Sequence, residues 1–292
     1  MFFDKYGNKK DGAIRGFDMH SKKARALAII IMLICIVMVA ICIFPILWVF
    51  FASFKDIKEF TRNVSILPST FDWSRIAETW KAFKFVKYYR NSLISVAGSM
   101  VCAILFNGLL AYGLGVLRPK GYKIAYGLVM WSLLIPGTTS IVALFRNINL
   151  VGLKGSFVPL WLAFGANAFY VVLFKQFFEE IPKELLEAAK LDGCGVWQTF
   201  FNIMMPLSKP IIIVVAIFAV TAAWSDFLLS YLVLNGSGKE TVMVKLFSFK
   251  DTPTDAVSVL RAALFAIIPP AIIFAVFQKQ ITDGAAAGAV KG

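Results

Sequence analysis

The sequence predicts an all-α integral membrane protein, and three observations carry that prediction. Hydrophobic residues make up 59% of the chain and the mean hydropathy is +0.75, where soluble domains are about half apolar. Charged residues are only 16%, against about 25% in soluble domains. Apolar runs long enough to cross about 30 Å of hydrocarbon recur along the chain, separated by polar stretches.

Charge and cysteine usage narrow the class. Lys and Arg number 30 against 17 Asp and Glu, a net charge of +13. These cations flank apolar runs, where they set orientation and meet anionic headgroups. No basic-aromatic stripe lies on a soluble domain, so nucleic acid is not an expected partner. Cys35, Cys42, Cys102 and Cys194 are not spaced as metal pairs and read as small apolar residues in a reduced setting. The single histidine, His20, sits in a polar tail, so neither a metal site nor His-based catalysis is expected.

Residues 1–26 form a basic tail with Lys5, Lys9, Lys10, Arg15, Lys22, Lys23 and Arg25, which favours a cytoplasmic N-terminus. The first expected span, 27–52, is too long for the apolar core of a signal peptide. Residues 53–90 are polar and aromatic, with Trp73, Trp80, Phe83, Tyr88 and Tyr89 suited to an interfacial belt. This stretch holds Lys55, Lys58, Arg62, Arg75, Lys81, Lys84, Lys87 and Arg90. The positive-inside count is therefore mixed, and the compact turn with Arg118, Lys120 and Lys123 is the better cytoplasmic marker.

The second expected span, 91–117, is rich in small residues such as Gly98, Ser99, Ala103 and Gly108, which let helices approach closely in lipid. The third, 124–145, contains Pro136-Gly137. A proline there frees a backbone carbonyl, so the kink either lines a wet path or aids packing. Residues 146–156 read as a short loop and 157–178 as the fourth span. The fifth, 211–234, carries Trp224 and Asp226. An ionisable group in a span faces the bundle interior or water, as part of a substrate path or as a hydrogen bond between helices. Residues 235–257 read as an external loop. In the sixth span, 258–277, Pro269-Pro270 is expected to break the middle, and the 279–292 tail is disordered by composition.

Between the fourth and fifth spans, 179–210 is polar. Pro182 suits a helix start, and Glu184, Glu187 and Asp192 place negative charge near it. Gly193 and Gly195 break this helix. A second short helix follows and is expected to end at Pro206 and Pro210. The chain has no Gly-x4-Gly-Lys-Ser/Thr pattern, no Gly-x-Ser-x-Gly elbow and no paired carboxylate in a span, so it is not expected to be an enzyme or to bind ATP itself.

Glu187-Ala188-Ala189, three further residues, Gly193, then Ile203 and Pro206 resemble the EAA loop of ABC-importer permeases, which docks as a coupling helix into a cleft on a cytoplasmic ATPase. Ala111 to Gly121 resembles that family's Ala-Tyr-x-Leu-Ala-Arg turn, with Gly115 where alanine is usual. Ala223-Trp224-Ser225-Asp226-Phe227 resembles Ala-Trp-Asn-Asp/Glu-Phe, with Ser225 departing. Gly284 to Gly292 is similar to the carboxyl end of maltose-type sugar permeases, whose tail reaches into the ATPase pair.

The resemblance implies a type I importer permease with six transmembrane helices, a cytoplasmic coupling loop and both termini cytoplasmic, in a bacterial or archaeal cell membrane. It implies a second permease subunit, two ATPase subunits that bind the ATP, an extracytoplasmic sugar-binding protein, and no cofactor in this chain. It assigns ATPase coupling to Glu184, Glu187, Ala188, Ala189, Asp192, Gly193 and Pro206, and an ATPase-contacting tail to Gly288, Ala289, Val290, Lys291 and Gly292. Trp224, Asp226 and Pro136 become candidates for the translocation path of a carbohydrate. The alternatives are an ABC permease for another solute, or a stand-alone secondary transporter or channel. The latter would need ion-coupling groups in its own spans, for which Asp226 is the one candidate.

Overall fold

A computed structural model describes residues 22–62, 65–249 and 254–289. These are helical, with no strand among the described residues. Residues 1–72 and 73–292 form two units. In the first, α1 (Lys22–Ala52) runs through Pro45 and is apolar on all sides, as expected of a lipid-surrounded helix. It starts five residues earlier than the expected span. A short α2 (Ile57–Arg62) follows. The Glu59 carboxylate accepts from the Ser69 N–H at 2.7 Å and its hydroxyl at 2.6 Å, and the hydroxyl bond holds Glu59 below the usual carboxylate range.

The second unit begins with α3 (Trp73–Ala82). It is organised around α4 (Phe85–Tyr112), which starts six residues before the expected span and is extended by a π-turn at Gly113–Leu117. The remaining helices are α5 (Tyr122–Ser132), α6 (Ile141–Leu150), α7 (Val158–Gly165), α8 (Ala168–Glu180), α9 (Lys183–Leu191), α10 (Val196–Thr199), the single turn α11 (Met205–Leu207), α12 (Lys209–Ser225), α13 (Leu228–Leu234), α14 (Val242–Ser248) and α15 (Ala256–Ala289).

α4 packs against α7, α8 and α12, and α12 against α15. The small residues of α4 permit this closeness: a Cβ on Gly98 would lie 2.2 Å from the Trp161 ring. One core gathers Ala111, Tyr112, Phe174, Phe178, Phe200, Met204 and Val215. A second gathers Phe85, Trp224, Val242, Phe265 and Ala266, and a third Ile148, Leu160, Val233 and Leu234.

Among the described residues, three helices are long and apolar enough to cross a membrane: Arg25–Ala52, Phe85–Leu117 and Ala256–Gln280. Two pairs qualify as bent spans, Val158–Gly165 with Ala168–Glu180 at 44° and Val196–Leu207 with Lys209–Ser225 at 81°. The expected third span, 124–145, is not one kinked helix. Turns at 133–136 and a 3-10 turn, Gly137–Ser140, separate α5 from α6, and α6 takes up residues read as a loop. The expected fifth span is interrupted at Asp226-Phe227. The expected external loop 235–257 contains α14, whose Thr241 hydroxyl caps it at 3.4 Å and whose Val242 and Val244 are buried.

The expected break at Pro269-Pro270 is absent, since α15 runs through both prolines. A proline at position i cannot donate to the carbonyl at i−4, which frees Phe265 and Ala266. The Tyr89 hydroxyl donates to the Phe265 carbonyl, and the Trp224 indole N–H donates to the Ala266 carbonyl at 3.0 Å. Both freed acceptors are satisfied from neighbouring helices, which is how a proline is accommodated in an apolar environment. The helix also extends through Ala289, where composition suggests disorder.

Candidate functional site

The polar segment between α8 and α12 folds as expected at its start. Pro182 precedes α9, Glu184 lies in its first turn and Lys190 in its last, both favourable for the helix dipole. The C-terminus is a Schellman motif: the Cys194 N–H donates to the Ala189 carbonyl at 2.9 Å and the Gly193 N–H to the Lys190 carbonyl at 3.1 Å. Gly193 adopts φ +78°, a region costing other L-residues about 1–2 kcal/mol. Gly195 has an ordinary φ of −71° and serves instead as the start of α10, its N–H donating to Gln198 Oε1 at 2.8 Å.

The second helix runs without a gap from Val196 to Leu207, so it ends between Pro206 and Pro210 as expected. Pro206 lies in the last turn of that helix, and Pro210 lies in the first turn of α12, where the missing N–H has no partner to lose. A π-turn at Phe200–Met204 precedes them, and the chain bends 81° into α12.

Ala189 is buried and Leu186 packs on the core, while Glu184, Glu187, Ala188, Asp192 and Pro206 are exposed. None of the three acidic side chains has an ion-pair partner among the described residues. Beside them lie Leu191 at 88% exposure, Trp197 at 64% and Val196 at 52%, with the Trp197 and Phe201 rings stacked at 6.3 Å. An apolar patch rimmed by carboxylates is the composition of a docking surface.

The segment is tied to α4 by a residue not singled out from sequence. Tyr112 is buried, its ring lies 5.3 Å from Phe200, and its hydroxyl donates to the Val196 carbonyl at 3.4 Å. The available signal was its place in the Ala111-Tyr112 turn. Nearby, Arg118 meets Glu179 at 2.7 Å and Lys175 meets it at 2.9 Å. Burial pushes the Glu179 carboxyl up, but the hydrogen bonds and charges of Lys175 and Arg118 together hold it below the usual carboxylate range. Gly115 fits this contact, because a Cβ there would lie 3.2 Å from Lys175 Cγ.

The candidate path residues lie apart from this segment. Asp226, half-buried at the α12–α13 break, accepts from the Ser230 N–H at 3.0 Å and hydroxyl at 2.7 Å, a local cap rather than a bond between helices. Trp224 is buried against α15 through the bond described above. Pro136 is exposed, and its carbonyl accepts from the Thr139 N–H at 3.0 Å and hydroxyl at 2.7 Å. A further polar residue, Asn107, is fully buried. It donates to the Phe164 carbonyl at 2.9 Å and accepts from the Asn167 N–H at 2.9 Å, splicing the break between α7 and α8. Its signal was a lone amide in an apolar helix. Of the candidate tail, Gly288 and Ala289 continue α15, while Val290, Lys291 and Gly292 lie outside the described residues. No group of three metal-ligating side chains occurs among the described residues.

The sequence matches the family described as binding-protein-dependent transport system inner membrane component over residues 12–284. The chain belongs to this permease family. It is 33% identical over 266 residues to the galactooligosaccharides transport system permease protein GanQ of Bacillus subtilis, covering 87% of this chain and 92% of that one. It is 28% identical over 278 residues to the arabinooligosaccharides transport system permease protein AraQ of the same organism, covering 94% and 99%. The fold matches a chain from the crystal structure of a bacterial ABC transporter that imports the acidic polysaccharide alginate, with TM-score 0.79, 21% identity, and coverage of 89% of this chain and 98% of that one.

Proposed function

We propose that this chain is a permease subunit of an ATP-driven, binding-protein-dependent importer for a carbohydrate, and that α9 to α11 form its coupling element. The observation that carries the reading is the solvent-facing patch of Leu191, Val196 and Trp197 beside unpaired Glu184, Glu187 and Asp192, fixed to the bundle by Tyr112. A patch held rigidly against α4 passes motion from a docked subunit to the spans, which is how two sites bias one two-state element. Six spans with both termini cytoplasmic place this patch inside, together with Arg118, Lys120 and Lys123. A second permease subunit, two ATPases that supply the ATP-binding sites and an external sugar-binding protein complete the assembly. The carbohydrate cargo rests on the relatives named for galactooligosaccharides and arabinooligosaccharides.

The geometry supports a role for each residue. The exposed Ala188 permits close approach of the ATPase, Glu187 offers a charge-assisted contact, and Gly193 closes the helix. Asp226 and Pro136 mark two interruptions in apolar stretches, the places where a translocation path can meet polar groups. Extraction of the tagged chain in mild detergent tests the assembly. The expected eluate contains a second permease and an ATPase. A homo-oligomer that transports sugar after reconstitution without ATP would overturn the reading in favour of a stand-alone transporter.

A further inference from the structure

A cleft of about 610 Å³ opens between the end of α3 and the first turns of α4, lined by Trp80, Lys81, Lys84, Val86, Lys87 and Arg90. All four cations are exposed. Lys87 faces Glu240 at 3.9 Å, while Lys81, Lys84 and Arg90 have no ion-pair partner among the described residues. Lys84 adopts φ +54° at the junction of the two helices. A left-handed lysine is a strained choice where glycine would serve, and such strain clusters where a side chain has a task.

The cleft continues onto an apolar surface. Val86 is 67% exposed, Leu93 59%, Ile94 40% and Val101 47%. With Arg90 they recur at helical spacing on one face of α4, so the cation lies at the head of an apolar stripe. Concentrated positive charge ending in an exposed aliphatic stripe matches an amphiphile with an anionic head. A soluble oligosaccharide or an acidic protein surface would leave the stripe unused.

We propose that this cleft binds one anionic phospholipid, its phosphate held by Lys81, Lys84 and Arg90 and an acyl chain laid along Val86, Leu93, Ile94 and Val101. The site rests on α4 crossing the membrane, and the orientation above places it in the outer leaflet. Basic residues there oppose the usual cytoplasmic bias, and a bound lipid phosphate is the compensating charge.

The test is native mass spectrometry of the full chain, extracted with its partners, delipidated and then exposed to vesicles of phosphatidylglycerol or phosphatidylcholine. The wild type should retain one phosphatidylglycerol and no phosphatidylcholine. The triple variant Lys81→Ala, Lys84→Gly, Arg90→Ala should bind it roughly 100-fold more weakly, the combined effect expected of three cations beside an anionic surface. Because Lys84→Gly removes the backbone strain, the variant should melt no lower than the wild type, which separates lost binding from misfolding. Equal retention of both lipids, or unchanged retention by the variant, overturns the site. Displacement by millimolar inorganic phosphate would make it a simple anion site and also overturn the proposal. Unchanged lipid retention with lost response to the external binding protein would make it a protein-docking surface. Specific lipid retention by a chain that captures no ATPase would count against the importer reading and leave this site standing.

Discussion

Pro136 and the pair Pro269-Pro270 lie in comparable apolar stretches, yet one ends a helix and the others do not. Around Pro136 the backbone turns on itself: the Leu133, Leu134 and Ile135 N–H groups each bond the carbonyl three residues earlier, and the surroundings are exposed. At Pro269-Pro270 the two freed carbonyls meet Tyr89 and Trp224, and α15 continues. The proline itself does not decide whether a helix breaks in an apolar environment. A donor from a neighbouring helix does, because an orphaned carbonyl there costs several kcal/mol. The α7–α8 break is a third solution, in which the helix yields and Asn107 satisfies the exposed ends.

The largest effect should come from removing a splice that satisfies two groups at once. Asn107→Ala strands the Phe164 carbonyl and the Asn167 N–H, a loss of about 3 kcal/mol at roughly 1–3 kcal/mol per orphaned group. Thermal melting in detergent should fall by on the order of 10 °C. An unchanged melting temperature would show that the break needs no splice. Next in size, Tyr89→Phe removes one donor and should cost about 1–3 kcal/mol. In a Pro269→Ala background the N–H returns to the ladder, so the same substitution should cost less, a positive coupling in a double-mutant cycle. Additive effects would sink the account of the proline pair. Pro136→Ala should show no coupling to Tyr89→Phe.

The smallest effect concerns charge. Glu179 has a depressed folded pKa, so its contribution is present above the unfolded carboxylate value of about 4.3 and is lost as pH falls through the folded value. For a pair this accessible it amounts to about 1 kcal/mol or less. Glu179→Gln should flatten the acid side of the stability profile by that amount. A parallel profile would remove Arg118 and Lys175 from the account.

Helix class, the membrane character and the α9 segment were legible because they follow from local pattern: apolar length, the Pro182 start and the Gly193 stop. The interruptions were not. Pro269-Pro270 looked like a break because its donors lie 176 and 42 residues away in sequence. Tyr89 read as one of several interfacial aromatics for the same reason. Pro206 and Pro210 bracket the end of their helix as local pattern suggests, but the 81° bend that follows into α12 has no local signal. The exposed apolar patch was half visible: its carboxylates stood out, while Trp197 and Val196 read as ordinary apolar residues.

The central claim is that α9 to α11 carry the coupling, and uptake by the reconstituted assembly tests it most directly. Gly193→Pro cannot hold φ +78° and removes the N–H bonded to Lys190, while leaving the spans untouched. The account predicts normal membrane insertion with loss of ATP-driven sugar uptake and of the ATPase response to the binding protein, and the same losses for Glu187→Lys. Wild-type uptake by both variants would contradict it.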